Sequence, residues 1–538
     1  MFKPAQPSLP VAYSHVAMLL LSILPPEADG NDLAGPPKTG TFTDTLEFGD
    51  GTSMTIKALV PSELPEENTL GLILGFHPHG GNENSMVNWP SKAFLERQGI
   101  QDHYVIIGLK SRRPDGYKEH LGDWEKADHK PSFNTFQWAL KTYPIDPRRV
   151  HLIGWSRGGF MTTRFIWDNL EHFATVTAYA GAHSPGWTKA SLGGYPNQDW
   201  VKLKWKDGAV NGTWTGDRFD YSMDFSRQSL KDLLPRGLSQ TSAPASELLP
   251  EFYHVHGDND YVVDVNLTRC YTRELGKKGI RYIYRELDGV NHAGVFQGEP
   301  INMLVNDDVF QWIHATRNKN IPLSKIETDR LNYLKANIRE ADHSRALQFI
   351  KEAGRIGGRQ AGEALIPAFE SSDAQVRLAA AESALTTSYG PLFTEKLGHL
   401  ITNKDPAVAK AAIHALGQYA KWRQLDAQTI LIKAALEPTV GTATRELVIA
   451  ELGEMVDLMK LGNLYDDREI ILALVKLLDD PELAIRAGTS NALESVSGDS
   501  FAYAPEAADR TAGLQGWQHW ATQATAPLLS ERFTKKAP

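Results

Sequence analysis

The chain contains one cysteine, Cys270. A disulfide needs two, so no internal bridge can staple this fold, and thiolate metal clusters and dithiol redox chemistry are excluded. Cys270 reads as a small buried apolar side chain. Long apolar runs are also missing. The best candidate, Val16 to Leu24, is under half of the ~20 residues that cross a bilayer, so no membrane span is expected. No Gly-x-Gly-x-x-Gly opens a helix, no Walker loop occurs, and His77 and His79 have no third ligand at metal spacing. We therefore expect no cofactor and no resident metal. The formal net charge of −9 lacks the basic excess that binds phosphate backbones, which argues against a nucleic-acid partner.

What is present is an ordinary globular composition in 538 residues, too many for one core, so two or three domains are expected. Residues 1–40 stand apart. Lys3 precedes the apolar run at 16–24, and Pro25-Pro26 ends it. That pattern fits the apolar region of a signal peptide, or else a disordered N-terminus; export would place the protein in a secreted or periplasmic setting.

From residue 41 onward, strands and helices alternate. Residues 41–48 and 54–60 alternate polar and apolar around Gly49-Asp50-Gly51, as an opening hairpin does. Residues 70–76 and 104–109 are near-continuous apolar runs, as buried strands of a parallel sheet should be, and 150–154, 174–180, 252–256 and 282–287 also read as strands. Ile145-Asp146-Pro147-Arg148-Arg149 reads as a turn into the strand at 150. That strand ends in Gly154-Trp155-Ser156-Arg157-Gly158, a Gly-x-Ser-x-Gly motif followed by a run with helical spacing. Such a turn needs glycines on both sides, because the serine backbone is strained and its neighbours pack closely.

Asp260 follows the strand at 252–256, with Asp258 and Asp264 as competitors, and His292 follows the strand at 282–287. Parallel strands bring these loops to one sheet edge. Ser156, Asp260 and His292 are thus the candidate catalytic residues, with Ser156 as nucleophile, His292 as base and Asp260 as its orienting carboxylate. The backbone N–H of Arg157 and one from the loop holding Gly80 and Gly81 are the candidate oxyanion donors. Residues 184–248 interrupt the alternation with glycine and aromatics, which reads as a lid or substrate-binding insertion. Trp155 and Trp187 are the candidate substrate-binding rings.

These motifs, over residues 41–320, resemble the α/β-hydrolase superfamily. The His79-Gly80-Gly81 loop, the Ile145–Val150 approach to Gly154–Gly159, and His256–Val263 are similar to secreted feruloyl-esterase and polyhydroxybutyrate-depolymerase-like serine esterases. The last of these is also similar to prolyl-oligopeptidase-type enzymes. The family's usual Leu-His-Gly-Gly is here His-Pro-His-Gly-Gly. The resemblance implies a sheet flanked by helices and an acyl-enzyme mechanism on a carboxylic ester, carbohydrate-linked or polymeric.

Beyond residue 325 strand patterns cease. Helix-opening segments recur at Asp373, Asp405, Thr444 and Asp480, about every 32–40 residues, each followed by small apolar residues. The repeat resembles HEAT repeats, which implies an all-α solenoid over 325–538 with a surface for a protein partner. Two other functions stay open: a prolyl-oligopeptidase-type peptidase, and a helical-repeat scaffold carrying an inactive hydrolase.

Overall fold

The computed structural model describes residues 37–524 except 88–91, 112–123, 125, 182–248, 261, 264, 266–267, 269–270, 273–274, 276–279, 288, 297–299, 340, 388–390 and 460–467. The apolar N-terminal run, the aromatic-rich insertion with Trp187, Asp264 and Cys270 lie outside the described residues.

Eight strands form one sheet: β1 (Gly40–Glu47), β2 (Ser53–Val60), β3 (Leu70–Phe76), β4 (Tyr104–Leu109), β5 (Ile145–Trp155), β6 (Thr175–Tyr179), β7 (Glu251–Gly257) and β8 (Tyr282–Leu287). Their order is β1-β2-β4-β3-β5-β6-β7-β8. β1 and β2 pair antiparallel, as do β2 and β4; every other neighbouring pair is parallel. The alternating β2 keeps one face half exposed, whereas β3, β4, β6 and β7 are buried throughout, as continuous apolar strands must be. This is the α/β-hydrolase sheet that the motifs implied.

One local expectation changes form. The turn at 145–149 is a bulge inside β5, where the register with β3 jumps from Leu70↔Ile145 to Leu72↔Val150. The Asp146 carboxylate holds it, accepting the Arg148 backbone N–H at 2.9 Å and its guanidinium at 2.9 and 3.0 Å.

Helices cover both faces. α1 (Lys92–Arg97) and α4 (Pro300–Ala315) share one core with β5–β8, and α2 (His129–Thr142) and α3 (Arg157–Phe165) close the other. Past residue 324 the described chain is helical. α5 (His343–Ile356), α6 (Ala374–Thr387), α7 (Pro406–Lys421), α8 (Thr442–Met459) and α9 (Leu483–Ser497) each pack on the next. Thr394–Leu400, Leu425–Leu436, Arg468–Leu477 and Thr511–Ala524 stack beside them as a second row. The recurring aspartates open these helices. Asp373, Asp405 and Asp480 each accept the backbone N–H two residues on, at 2.8, 2.9 and 2.9 Å. Buried alanines such as Ala380, Ala384 and Ala412 let neighbouring helices approach. On the final helix Trp517 is fully buried, edge-on to Phe501 at 4.8 Å.

The helical region shares a continuous core with the sheet. A buried polar hub stitches the two. Asp308 on α4 accepts from Tyr253 Oη at 2.5 Å, Gln418 Nε2 at 2.7 Å and Trp422 Nε1 at 3.0 Å. Arg285 of β8 lies 3.5 Å from the same carboxylate and donates to the Lys421 carbonyl at 2.6 Å. Removing a buried carboxylate leaves its donors and the guanidinium uncompensated. Asp308→Ala is therefore expected to cost about 3–5 kcal/mol, and urea unfolding followed by tryptophan fluorescence checks it. An unchanged midpoint would mean that the hub contributes nothing to stability.

Candidate active site

Ser156 sits between β5 and α3 with φ 54° and ψ −115°. No ordinary strand or helix residue adopts these angles, and holding them costs about 1–3 kcal/mol. The neighbourhood enforces the turn. The Ser156 N–H donates to the Tyr179 carbonyl at 2.8 Å, and its own carbonyl accepts from Phe160 N–H at 3.0 Å. A Cβ on Gly158 would sit 1.8 Å from the Phe76 carbonyl oxygen, and one on Gly154 would sit 2.2 Å from the Gly158 carbonyl oxygen. Both glycines of the motif are thus required by backbone contact. Arg157 is the first residue of α3, where N–H groups point out of the helix toward the turn.

Asp260 lies three residues past β7 and is 3% exposed. Its Oδ1 accepts the backbone N–H groups of Val262 and Val263, both at 2.8 Å. Its Oδ2 faces His292 Nδ1 at 2.6 Å. Burial alone would raise this carboxyl, but the hydrogen bonds from His256 and His292 outweigh it and hold Asp260 well below the usual carboxylate range. Asp260 therefore stays ionised wherever an imidazole titrates. The competing Asp258 is engaged elsewhere, where its Oδ1 accepts Gly289 N–H at 2.7 Å in the turn after β8.

The His292 loop is fixed from two sides. Asn291 Oδ1 accepts the N–H groups of Ala293 at 3.1 Å and Gly294 at 2.9 Å. The Trp155 indole donates to the His292 carbonyl at 3.2 Å, and the two rings lie 5.7 Å apart. Trp155, the residue before Ser156, thus braces the His292 loop. Gly257 permits the approach of the β7 and β8 loops, since a Cβ there would meet the Val290 carbonyl oxygen at 2.0 Å.

In the other loop, His77 spends both ring nitrogens. Nδ1 donates to the Pro78 carbonyl at 2.7 Å and Nε2 accepts Ser111 N–H at 3.1 Å, so no lone pair remains for a metal. Gly81 N–H is committed to Pro78 at 3.0 Å, and Gly80 takes φ +68°. Among the described residues no group of three or more His, Cys, Asp or Glu could hold a metal ion, and no helix is long and apolar enough to cross a membrane.

One residue of this site carries no role that the sequence reveals. His256, fully buried, places Nε2 3.1 Å from Asp260 Oδ2 and 3.1 Å from the Val263 carbonyl. Both are acceptors, so Nε2 carries the proton, and Nδ1 meets the Thr268 hydroxyl at 2.7 Å. Its one signal is a histidine four residues before the aspartate, at a strand end. His256→Phe is expected to lower kcat about 10-fold, the worth of one charge-assisted hydrogen bond, with KM little changed. His256→Gln, which can still present an N–H, should recover part of the loss; equal activity in all three proteins would exclude a positioning role.

A strained serine on an elbow, a helix N-terminus directly after it and a histidine held by a buried ionised aspartate are the kinds of parts a serine hydrolase uses. Residues 115–319 match the prolyl oligopeptidase family. This prolyl oligopeptidase match contains Ser156, Asp260 and His292, whereas Gly80, Gly81 and the helical region lie outside it. No curated protein matches the chain in sequence. Among solved structures, a thermostable esterase is 16% identical with a TM-score of 0.35, over 52% of this chain and 63% of its own. A ferulic acid esterase from the anaerobic fungus Anaeromyces mucronatus is 14% identical with a TM-score of 0.32, over 52% and 93%. An acylaminoacyl peptidase is 13% identical with a TM-score of 0.34, over 55% and 44%.

Proposed function

We propose that the protein hydrolyses carboxylic esters, on a carbohydrate-linked or polymeric substrate, through an acyl-enzyme on Ser156. The observation that carries this reading is the Asp260–His292 contact at 2.6 Å, anchored by two backbone N–H groups beside the serine elbow. Ser156 Oγ attacks the carbonyl carbon while His292 Nε2 takes its proton. The tetrahedral oxyanion is received by the Arg157 N–H and the Gly80 loop. His292 then protonates the departing alcohol, and water repeats the sequence to release the acid. The aromatic-rich insertion at 184–248, with Trp187, supplies rings suited to sugar or aryl groups. An exported protein would meet such polymers directly, which fits the apolar segment at 16–24 read as a signal. We further read the two-row helical stack as a HEAT-like solenoid with a surface for a protein partner.

The prolyl oligopeptidase match favours a second reading, in which the scissile bond is a peptide. The experiment sets feruloyl and short-chain aryl esters against peptide anilides, with fluorophosphonate labelling of Ser156 read by mass spectrometry. Turnover of esters, with anilides at least about 100-fold slower in kcat/KM, supports the esterase. The reverse ranking establishes the peptidase. Absence of labelling and of all turnover would sink both.

A further inference from the structure

The loop after β3 lies against the serine elbow. Phe76, the last residue of β3, pairs with Gly154, and a Cβ on Gly158 would sit 1.8 Å from the Phe76 carbonyl oxygen and 2.8 Å from that of His77. The first peptides past β3 therefore touch the start of α3. An N–H turned toward a developing oxyanion lowers its energy, whereas a carbonyl oxygen turned toward it raises it. How each peptide of this loop is oriented thus bears directly on the rate. Pro78 brings no N–H of its own, so the His77–Pro78 peptide has only a carbonyl to present.

That carbonyl is held from outside the loop. The Trp124 indole N–H donates to it at 2.9 Å. The next one is held by the His77 ring. Ser111 N–H, just past β4, donates to His77 Nε2 at 3.1 Å, which leaves the ring proton on Nδ1 to meet the Pro78 carbonyl at 2.7 Å. Gly81 N–H reaches the same Pro78 oxygen at 3.0 Å. Trp124 and His77 are both buried, with ring centroids 4.7 Å apart. Trp124 also stands edge-on to Phe76 at 5.0 Å, and Phe76 reaches Phe165 of α3 at 5.7 Å. The indole is therefore anchored to the loop it holds and, through Phe76, to the helix that begins at Arg157.

We propose that Trp124 is a positioning residue for the oxyanion site: its N–H holds the His77 carbonyl, and with it the Gly80 loop, in the orientation that receives the tetrahedral intermediate. This role rests on the acyl-enzyme reading above. Trp124 touches no reacting atom and belongs to none of the motifs. Trp124→Phe keeps a ring against Phe76 and His77 and removes one donor. The His77 carbonyl then loses its hold, and Pro78 has no N–H with which to restore the peptide from the other side. The change acts where negative charge is greatest, so it weakens the transition state more than the bound ester.

Aryl ester kinetics of the full chain test this, together with inhibition by an aryl trifluoromethyl ketone. Ser156 Oγ adds to the ketone carbon, its proton passes to His292, and the ketone oxygen becomes a full oxyanion. Trp124→Phe should lower kcat about 10-fold with KM unchanged within about twofold. Ketone inhibition should weaken by the same factor. Ester binding, measured with Ser156→Ala alone and with Ser156→Ala plus Trp124→Phe, should agree, which a general distortion of the pocket would not allow. Unchanged kcat and ketone inhibition in a folded Trp124→Phe that still takes the fluorophosphonate would overturn the role of Trp124 and leave the hydrolase standing. No labelling of wild type would remove both. Should the variant not fold, a crystal of the wild-type ketone adduct decides. An adduct oxygen on an N–H of residues 79–81, with the indole still on the His77 carbonyl, supports the proposal; an oxygen turned away from this loop refutes it.

Discussion

Ser156→Ala is expected to lower kcat for aryl esters by about 10⁶-fold while leaving the fold intact, because triad members act as a unit. Nothing but the Oγ is removed. The Ser156 N–H still donates to the Tyr179 carbonyl, and Gly154 and Gly158 still admit the close backbone. The melting temperature should therefore stay near wild type, and substrate should still bind with a similar dissociation constant. Fluorophosphonate labelling must disappear with the activity. A variant that keeps about one per cent of wild-type turnover would remove Ser156 from the nucleophile role, since no remaining group in the elbow could form the acyl-enzyme.

Asp260→Asn should cost about 10⁴-fold in kcat, through a proton rather than a contact. Val262 and Val263 both donate to one oxygen of the carboxylate, so the asparagine carbonyl must take that side. Its NH₂ then faces His292 Nδ1 and His256 Nε2. A donor opposite Nδ1 forces the His292 proton onto Nε2, where it can no longer accept from Ser156. Asp258→Asn is the control. Asp258 serves the Gly289 turn, and its effect should stay within about threefold, or under 1 kcal/mol. Steady-state kinetics of both variants at pH 7 separate the two aspartates; similar losses would reassign the acid.

All eight strands are legible in the sequence because their patterns are local. β1 and β2 alternate, β3 and β4 are short apolar runs, and β5 to β8 are short segments rich in β-branched and aromatic residues, each bounded by turn or loop signals. The serine elbow is legible because its glycines and serine fall within five consecutive residues. Asp146 to Arg149 read as a turn because polar residues break the apolar run, yet pairing on both sides folds them into β5 as a bulge. His256 falls inside a readable motif without showing its role, since its contact with Asp260 exists only once Val262 and Val263 fold back onto the carboxylate. Asp308 is harder still. On an apolar helix an aspartate reads as a solvated face, and two of its partners, Gln418 and Trp422, lie 110 and 114 residues away.

The Asp308 hub also sets an order for biosynthesis. The sheet is complete when Leu287 has left the ribosome, and α4 follows directly. Gln418 and Trp422, which satisfy Asp308 and cover that face, emerge much later. At about 5–20 residues per second the interval is on the order of ten seconds. During it the nascent chain carries an apolar surface not yet covered, with Asp308 holding only its Tyr253 and Arg285 contacts. A ribosome stalled before residue 418 would leave Asp308 without Gln418 and Trp422 and Arg285 without the Lys421 carbonyl.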